Sequence, residues 1–247
     1  MRILFLDIET APNKGYFWGT FDQNISHDQI EESSYILCWS AKWYKQAHVA
    51  FSSTEKRPRL DNLRPVHAML DAADIVVHYN GKKFDIPVLN REFLKHRLGP
   101  PSPYKQIDLF RVVKGNFRFE SNKLKAILKE LSLENKLETE GFKLWTDCMD
   151  GKPKAWKKLG AYNRRDVTVL EPLYERLRPW ISNHPTIPSS RGIGCPKCGS
   201  NKVQQRGVQV AVSQTYVRFH CQGCGGWFRS SKTLVRDRDE RGVNIAS

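Results

Sequence analysis

Residues 3–9, Ile-Leu-Phe-Leu-Asp-Ile-Glu, constrain the fold more than any other stretch. Branched and aromatic apolar residues in succession suit a buried strand. That strand ends in Asp7 and Glu9, which its period of two places on one face. Two carboxylates side by side at the end of a buried strand repel unless a cation lies between them. A divalent metal is the simplest such cation. A strand closing on an exposed acidic turn is the plainer alternative, and carboxylates further along decide between the two.

The patterning that follows describes an α/β domain. Tyr35 to Trp43 and His48 to Phe51 read as two more strands, in a meander with the first. Residues 61–72 carry Leu63, Val66, Met69 and Leu70 at helical spacing. Asp74 to Tyr79 is a nearly continuous apolar run, as a buried parallel strand requires, and Asn80-Gly81 signals a turn after it. Pro87 suits the first turn of a helix with Leu89, Phe93 and Leu94 inward. Ser121 is placed to cap another, with Leu124, Ile127, Leu128 and Leu131 inward. A last helical pattern spans about 154–177, through Leu159, Leu170, Leu173 and Leu177, and Pro172 is expected to kink it. The aromatic stretch from Tyr16 to Glu32 has no firm assignment. Strands first, then strands alternating with helices, imply a mixed central sheet flanked by helices. Proline, serine and glycine crowd the stretch between 179 and 194. The expected organisation is a first domain over 1–180, a linker over 181–194, a small β module over 195–232 and a disordered tail over 233–247.

Further carboxylates do appear. Asp85 follows a strand and opens a helix in the stretch NGKKFD. Tyr162 and Asp166 lie four apart in YNRRD, so on a helix they share a face. With FLDIET at residues 5–10, these motifs resemble those of the DEDD-type 3′→5′ exonucleases of the ribonuclease H-like fold, in the tyrosine subclass. They occur in that family's order and span roughly residues 3–178. No histidine stands at the general-base place in YNRRD. Flanking stretches such as ILCWSAKW also resemble bacteriophage-encoded exonucleases related to the proofreading domains of family B polymerases.

The resemblance implies a ribonuclease H-like sheet and a phosphodiester hydrolase acting on DNA. It also implies two Mg²⁺ or Mn²⁺ ions about 3.5–4 Å apart that clamp an in-line attack. Asp7 would bridge both ions, Glu9 and Asp166 would complete the first, Asp85 would hold the second, and Tyr162 would orient the attacking water. Asp108, in QIDLF, either supports this site from behind or faces solvent at a strand end. Trp39, Trp43 and Phe84 offer rings either to nucleobases or to the core. An exoribonuclease or a structure-dependent nuclease would use the same residues, and an inert nucleic-acid-binding adaptor would keep the fold without the chemistry.

The cysteines divide sharply. Cys38 and Cys148 stand alone in apolar surroundings and read as buried. Cys195-x-x-Cys198 and Cys221-x-x-Cys224 form two knuckles, each followed by glycine, around a β-like stretch. This module resembles the zinc ribbons of transcription factors and transposases, which implies one structural Zn²⁺ on four thiolates. His220 is a conceivable further ligand.

The net charge of +14 points to a polyanionic partner. Residues up to 190 carry 30 Lys/Arg against 23 Asp/Glu, and those after it 10 against 3, so the second module is the denser cation. Lys197, Lys202, Arg206, Arg218 and Arg229 would attract phosphates, and the ribbon would assist nucleic-acid binding or contact replication or repair proteins. DNA is the expected substrate and RNA an open one. No apolar run reaches the ~20 residues of a membrane span. The chain runs straight from Met1-Arg2 into a strand, so a cytoplasmic protein is expected, in the host if phage-encoded.

Overall fold

The computed structural model describes residues 1–22, 24–133, 141–189 and 192–234. The chain divides into two compact units, Met1–Tyr174 and Glu175–Ser247. In the first unit, β1 (Ile3–Thr10) is followed by the short β2 (Lys14–Gly15) and β3 (Ile30–Glu32), then by β4 (Ile36–Trp43) and β5 (Val49–Ser53). After α1 (Arg59–Asp71), β6 (Ile75–His78) and α2 (Asp85–Lys95) come β7 (Lys105–Asp108) and α3 (Leu109–Asn116). The helices α4 (Leu124–Glu130), α5 (Lys143–Met149) and α6 (Pro153–Leu177) complete the sequence of elements, α6 reaching past the division between the units.

Five strands form one sheet in the order β5-β4-β1-β6-β7. β1 pairs antiparallel with β4 and parallel with β6, and β7 extends the parallel side. The mixed sheet with flanking helices is the expected α/β class. β1 lies at its centre, so its two faces meet different helices. Leu4, Leu6 and Ile8 join Leu63, Val66 and Leu70 of α1 and Leu89 and Phe93 of α2 in one core. Phe5 faces the other way and packs edge-on to Tyr174 of α6, ring centroids 5.7 Å apart. By the same alternation Asp7 and Glu9 leave β1 on the α6 side.

Two packing expectations are corrected. Leu94 is 80% exposed, although Leu89 and Phe93 are fully buried. At about 100° per residue it falls well round the helix from Phe93, off the buried stripe. Ser121 does not sit at the helix start; its hydroxyl accepts from the Lys123 amide at 3.3 Å, one turn of chain before α4. α6 continues through Pro172 to Leu177. The stretch from Tyr16 to Glu32 follows β2 and ends in β3, which pairs antiparallel with β2. It leaves Tyr16, Phe17, Trp18 and Phe21 largely exposed.

The second unit holds a three-stranded antiparallel sheet in the order β10-β9-β8, formed by β8 (Val203–Val210), β9 (Thr215–Cys221) and β10 (Trp227–Thr233). Two tight turns precede β8 and β10, and they share a construction. Gly199 and Gly225, each one residue past the second cysteine of its pair, both adopt φ of +74° and donate their amides to the carbonyls of Cys195 and Cys221. A side chain would be strained at that φ, hence glycine at both places. Most of the tail expected to be disordered, 235–247, lies outside the described residues. Among the described residues no helix is long and apolar enough to cross a membrane.

Candidate functional site

Asp7 and Glu9 at the end of β1 meet Asp166 of α6, with carboxylate oxygens of all three within 4.8 Å of one another. The β1–β4 ladder is irregular between Glu9 and Thr10, as at the bulges that often adjoin functional sites. α6 is held on the sheet by Tyr174, which contacts Phe5 and Tyr44, and by a buried ion pair from Lys42 of β4 to Glu171. The Lys45 amide also donates to Glu171, at 3.0 Å. These contacts set the height of α6 and so bring Asp166 opposite β1.

Asp85 is buried but stands outside that triad. Its Oδ1 accepts the Ile8 amide at 3.1 Å. β6 pairs with β1 only as far as Phe5, so Ile8 lies beyond the last of those pairs. Asp85 takes up that amide and joins the first turn of α2 to the acidic end of β1. The turn leading to it is tightly specified. Asn80 has φ of +64°, and a Cβ on Gly81 would stand 2.6 Å from the His78 ring. Asp108 does not face solvent; it is buried, accepting from the Asn80 amide at 2.8 Å and the Phe110 amide at 3.1 Å. Its negative charge bears on Asp85.

The electrostatics are those of anions short of countercharge. Burial, then Asp85, Glu9 and Asp166, hold the Asp7 carboxyl well above its ordinary value. Burial foremost, with Asp166 and Asp85 adding, raises Glu9 from 4.5 to about 8. Burial likewise raises Asp85 from 3.8 to about 7. The donors that favour the charged forms of Asp7 and Glu9 are neutral. Asn163 Nδ2 donates to Asp7 Oδ2 at 2.7 Å, and Trp145 Nε1 to Glu9 Oε2 at 2.9 Å. Hard oxygen donors, converging and partly protonated without a cation, fit a divalent metal of the Mg²⁺ or Mn²⁺ class.

Tyr162 is half-buried, and its hydroxyl is hydrogen-bonded to Asp166. Burial, then the Asp166 and Glu9 charges, push its ionisation far up, so the phenol keeps its proton. The Trp145 ring meets it edge-on at 6.3 Å. Asn163 and Trp145 escape a reading of the sequence by carboxylates. Asn163 is adjacent to Tyr162 and fully buried on α6, the one available signal, while Trp145 lies on a helix without a motif. A cleft of about 500 Å³ adjoins this end of the unit, lined by Pro12, Phe17, Phe142, Thr146 and Met149 among others. Trp39 and Trp43 belong to the core, Trp39 donating to the Asn62 carbonyl at 2.6 Å, whereas Phe84 is 43% exposed.

In the second unit the sulfurs of Cys195, Cys198, Cys221 and Cys224 lie within 4.8 Å of one another. Cys195 to Cys224 and Cys198 to Cys221 are each 3.7 Å apart. A tetrahedron with metal–sulfur bonds of about 2.3 Å has an edge of about 3.8 Å, so the four thiolates fit Zn²⁺ with no position left open. His220 stays out, its ring lying against Trp227 at 4.5 Å. Cys38 and Cys148 are buried in the first unit. Lys197 must be removed from the phosphate-attracting set: it is buried and donates to the Pro179 carbonyl at 2.5 Å.

A family model described as the RNase H superfamily matches residues 4–178. Among solved structures, the family B DNA polymerase from the hyperthermophilic archaeon Pyrobaculum calidifontis is similar, with a TM-score of 0.55 and 17% identity. The match covers 72% of this chain and 24% of the polymerase, so the chain spans about a quarter of that protein's length. At that identity the likeness is one of fold. No curated protein matches the sequence.

Proposed function

The chain belongs to the RNase H superfamily, and on that premise we propose that it is a metal-dependent 3′→5′ exonuclease of the tyrosine subclass. The observation that carries this reading is the meeting of Tyr162 and Asp166, one helical turn apart, with Asp7 and Glu9. A cation site serving only structure has no use for a phenol directed at one of its ligands. Asp7, Glu9 and Asp166 would hold one divalent cation, and Asp7 with Asp85 a second. Bound there, the cations supply positive charge to the phosphoryl, attacking and leaving oxygens of an in-line displacement.

The protein's own part is positional. Asn163 fixes one oxygen of Asp7, leaving the other free to turn toward a ligand. Trp145 does the same for Glu9. Such supporting hydrogen bonds set the orientation of carboxylate ligands. Tyr162, protonated throughout the working range, positions a water by hydrogen bonding and does not act as its base. DNA is the proposed substrate because the similar solved structure is a DNA polymerase; no residue described above selects the sugar. The zinc-ribbon-like unit would assist nucleic-acid binding.

Asp7→Ala tests the assignment. It removes the carboxylate shared by both proposed cations, so Mn²⁺-dependent hydrolysis of single-stranded DNA should fall by on the order of 10³ or more. The variant should stay folded, since it also relieves repulsion among buried acids. A folded Asp7→Ala protein cleaving near the wild-type rate would refute the site.

A further inference from the structure

We infer that one face of the three-stranded sheet in the second unit is a stacking surface for unpaired nucleobases. The face follows from register. On β9, Phe219 and Cys221 are buried, so Tyr216, Arg218 and His220 point the other way. On β10, Trp227 stands opposite His220 and Arg229 opposite Arg218, while Phe228 stands opposite Phe219 and stacks on it, centroids 5.3 Å apart. Cross-strand partners share a face. Tyr216, Arg218, His220, Trp227 and Arg229 therefore form one patch.

Within it rings and cations alternate. The Arg229 guanidinium lies 3.7 Å from the centre of the Tyr216 ring, and that of Arg218 5.0 Å from Trp227. The His220 ring lies 4.5 Å from Trp227, tilted by 31°. Arg218 is tied down by a 2.9 Å bond from its Nε to the Arg206 carbonyl. Trp227 remains 48% exposed.

Charge specifies the occupant. Between Glu175 and Asp237 the sequence has no acidic side chain and ten Lys or Arg. Four thiolates with Zn²⁺ carry a net −2, which leaves this stretch strongly basic. A folded patch in which an exposed indole lies beside two half-buried rings and two arginines, on a stretch of sequence without an acidic side chain, matches what binds a single strand: flat rings for bases and cations for the backbone. A duplex presents its phosphates but hides the faces of its bases, so it can use only the arginines. The inference rests on the proposed nuclease reading for its ligand class, nucleic acid, and assigns the unpaired form of it.

The test is binding by the full-length, zinc-loaded protein in the Asp7→Ala background, which spares the probe from digestion. The probes are a fluorescent oligothymidylate and a duplex of mixed sequence. Trp227→Ala should weaken single-strand binding roughly 5- to 100-fold, the usual effect of losing one stacked base. It should change duplex binding by less than about twofold. Trp227→Phe should restore most of the single-strand affinity, and zinc content near one per chain will show that each variant keeps its fold. Arg218→Gln with Arg229→Gln should weaken both probes and lower the log–log salt slope for the single strand by about 1.4. Unchanged single-strand affinity in zinc-loaded Trp227→Ala overturns the inference, as does an equal loss for duplex and single strand. Neither outcome bears on hydrolysis, which the intact-site protein reports separately.

Discussion

At the residue scale, the site is a set of acids held close together by neutral donors. Tyr162 is the residue whose role is most open to direct measurement. Tyr162→Phe keeps the ring against Trp145 and deletes only the hydroxyl bonded to Asp166. The expected result is a fall in kcat of ~10–10³ with little change in KM, as for the loss of one positioning group. An unchanged kcat would make Tyr162 a packing residue. The acids themselves predict an unusual pH dependence of stability. In the folded protein Glu9 titrates near 8 in place of 4.5, and Asp85 near 7 in place of 3.8. Across that window the folded state holds more protons than the unfolded chain, so stability falls as pH rises. Protein freed of Mg²⁺ and Mn²⁺, its zinc retained, should melt lower at pH 8 than at pH 5, and added Mg²⁺ should recover the loss. Asp7→Asn should flatten the difference. A melting temperature that rises from pH 5 to pH 8, as it does where carboxylates are held by ion pairs and their pKa values lowered, or that ignores Mg²⁺, would contradict the account.

At the scale of elements, the question is what keeps α6 in register with β1, since the triad exists only while it does. The contacts are the Phe5–Tyr44–Tyr174 rings and the Lys42–Glu171 pair. Both partners of the pair have little exposed side chain, 9% and 16%. Removing one partner from a buried pair costs about 3–5 kcal/mol, because the other charge is left unpaired. Lys42→Met should therefore lower unfolding stability by about that much in urea titration, and Lys42→Met with Glu171→Leu should recover most of it. A single-variant loss below about 0.5 kcal/mol would show that the rings alone set the register. The elements also show what can be read from sequence. β1, β4, β6 and α2 announce themselves because apolar runs, Asn80-Gly81 and Pro87 carry local physics. The carboxylates of β1 and α6 were legible through residue type and spacing. Asn163 and Trp145 were not, because a hydrogen bond to a carboxylate from a distant helix leaves no local pattern. The burial of Lys197 was hidden for the same reason: its partner is a backbone carbonyl, which sequence does not mark.

At the scale of the whole molecule, two units carry two kinds of candidate metal site, hard carboxylates in one and soft thiolates in the other. Four thiolates leave no open position on a Zn²⁺ held among them, so that site would stabilise the small sheet whose Trp227 face is proposed to bind nucleic acid. The carboxylate site is where hydrolysis is proposed. The central claim is therefore about chemistry in the first unit and its direction along a strand. It is tested most directly by digesting single-stranded DNA labelled at either the 3′ or the 5′ end, with Mn²⁺ present. The account predicts early release of the 3′ label as a mononucleotide, while 5′-labelled strands shorten step by step. First release of the 5′ label, internal cuts, or digestion that proceeds without a divalent cation would contradict it.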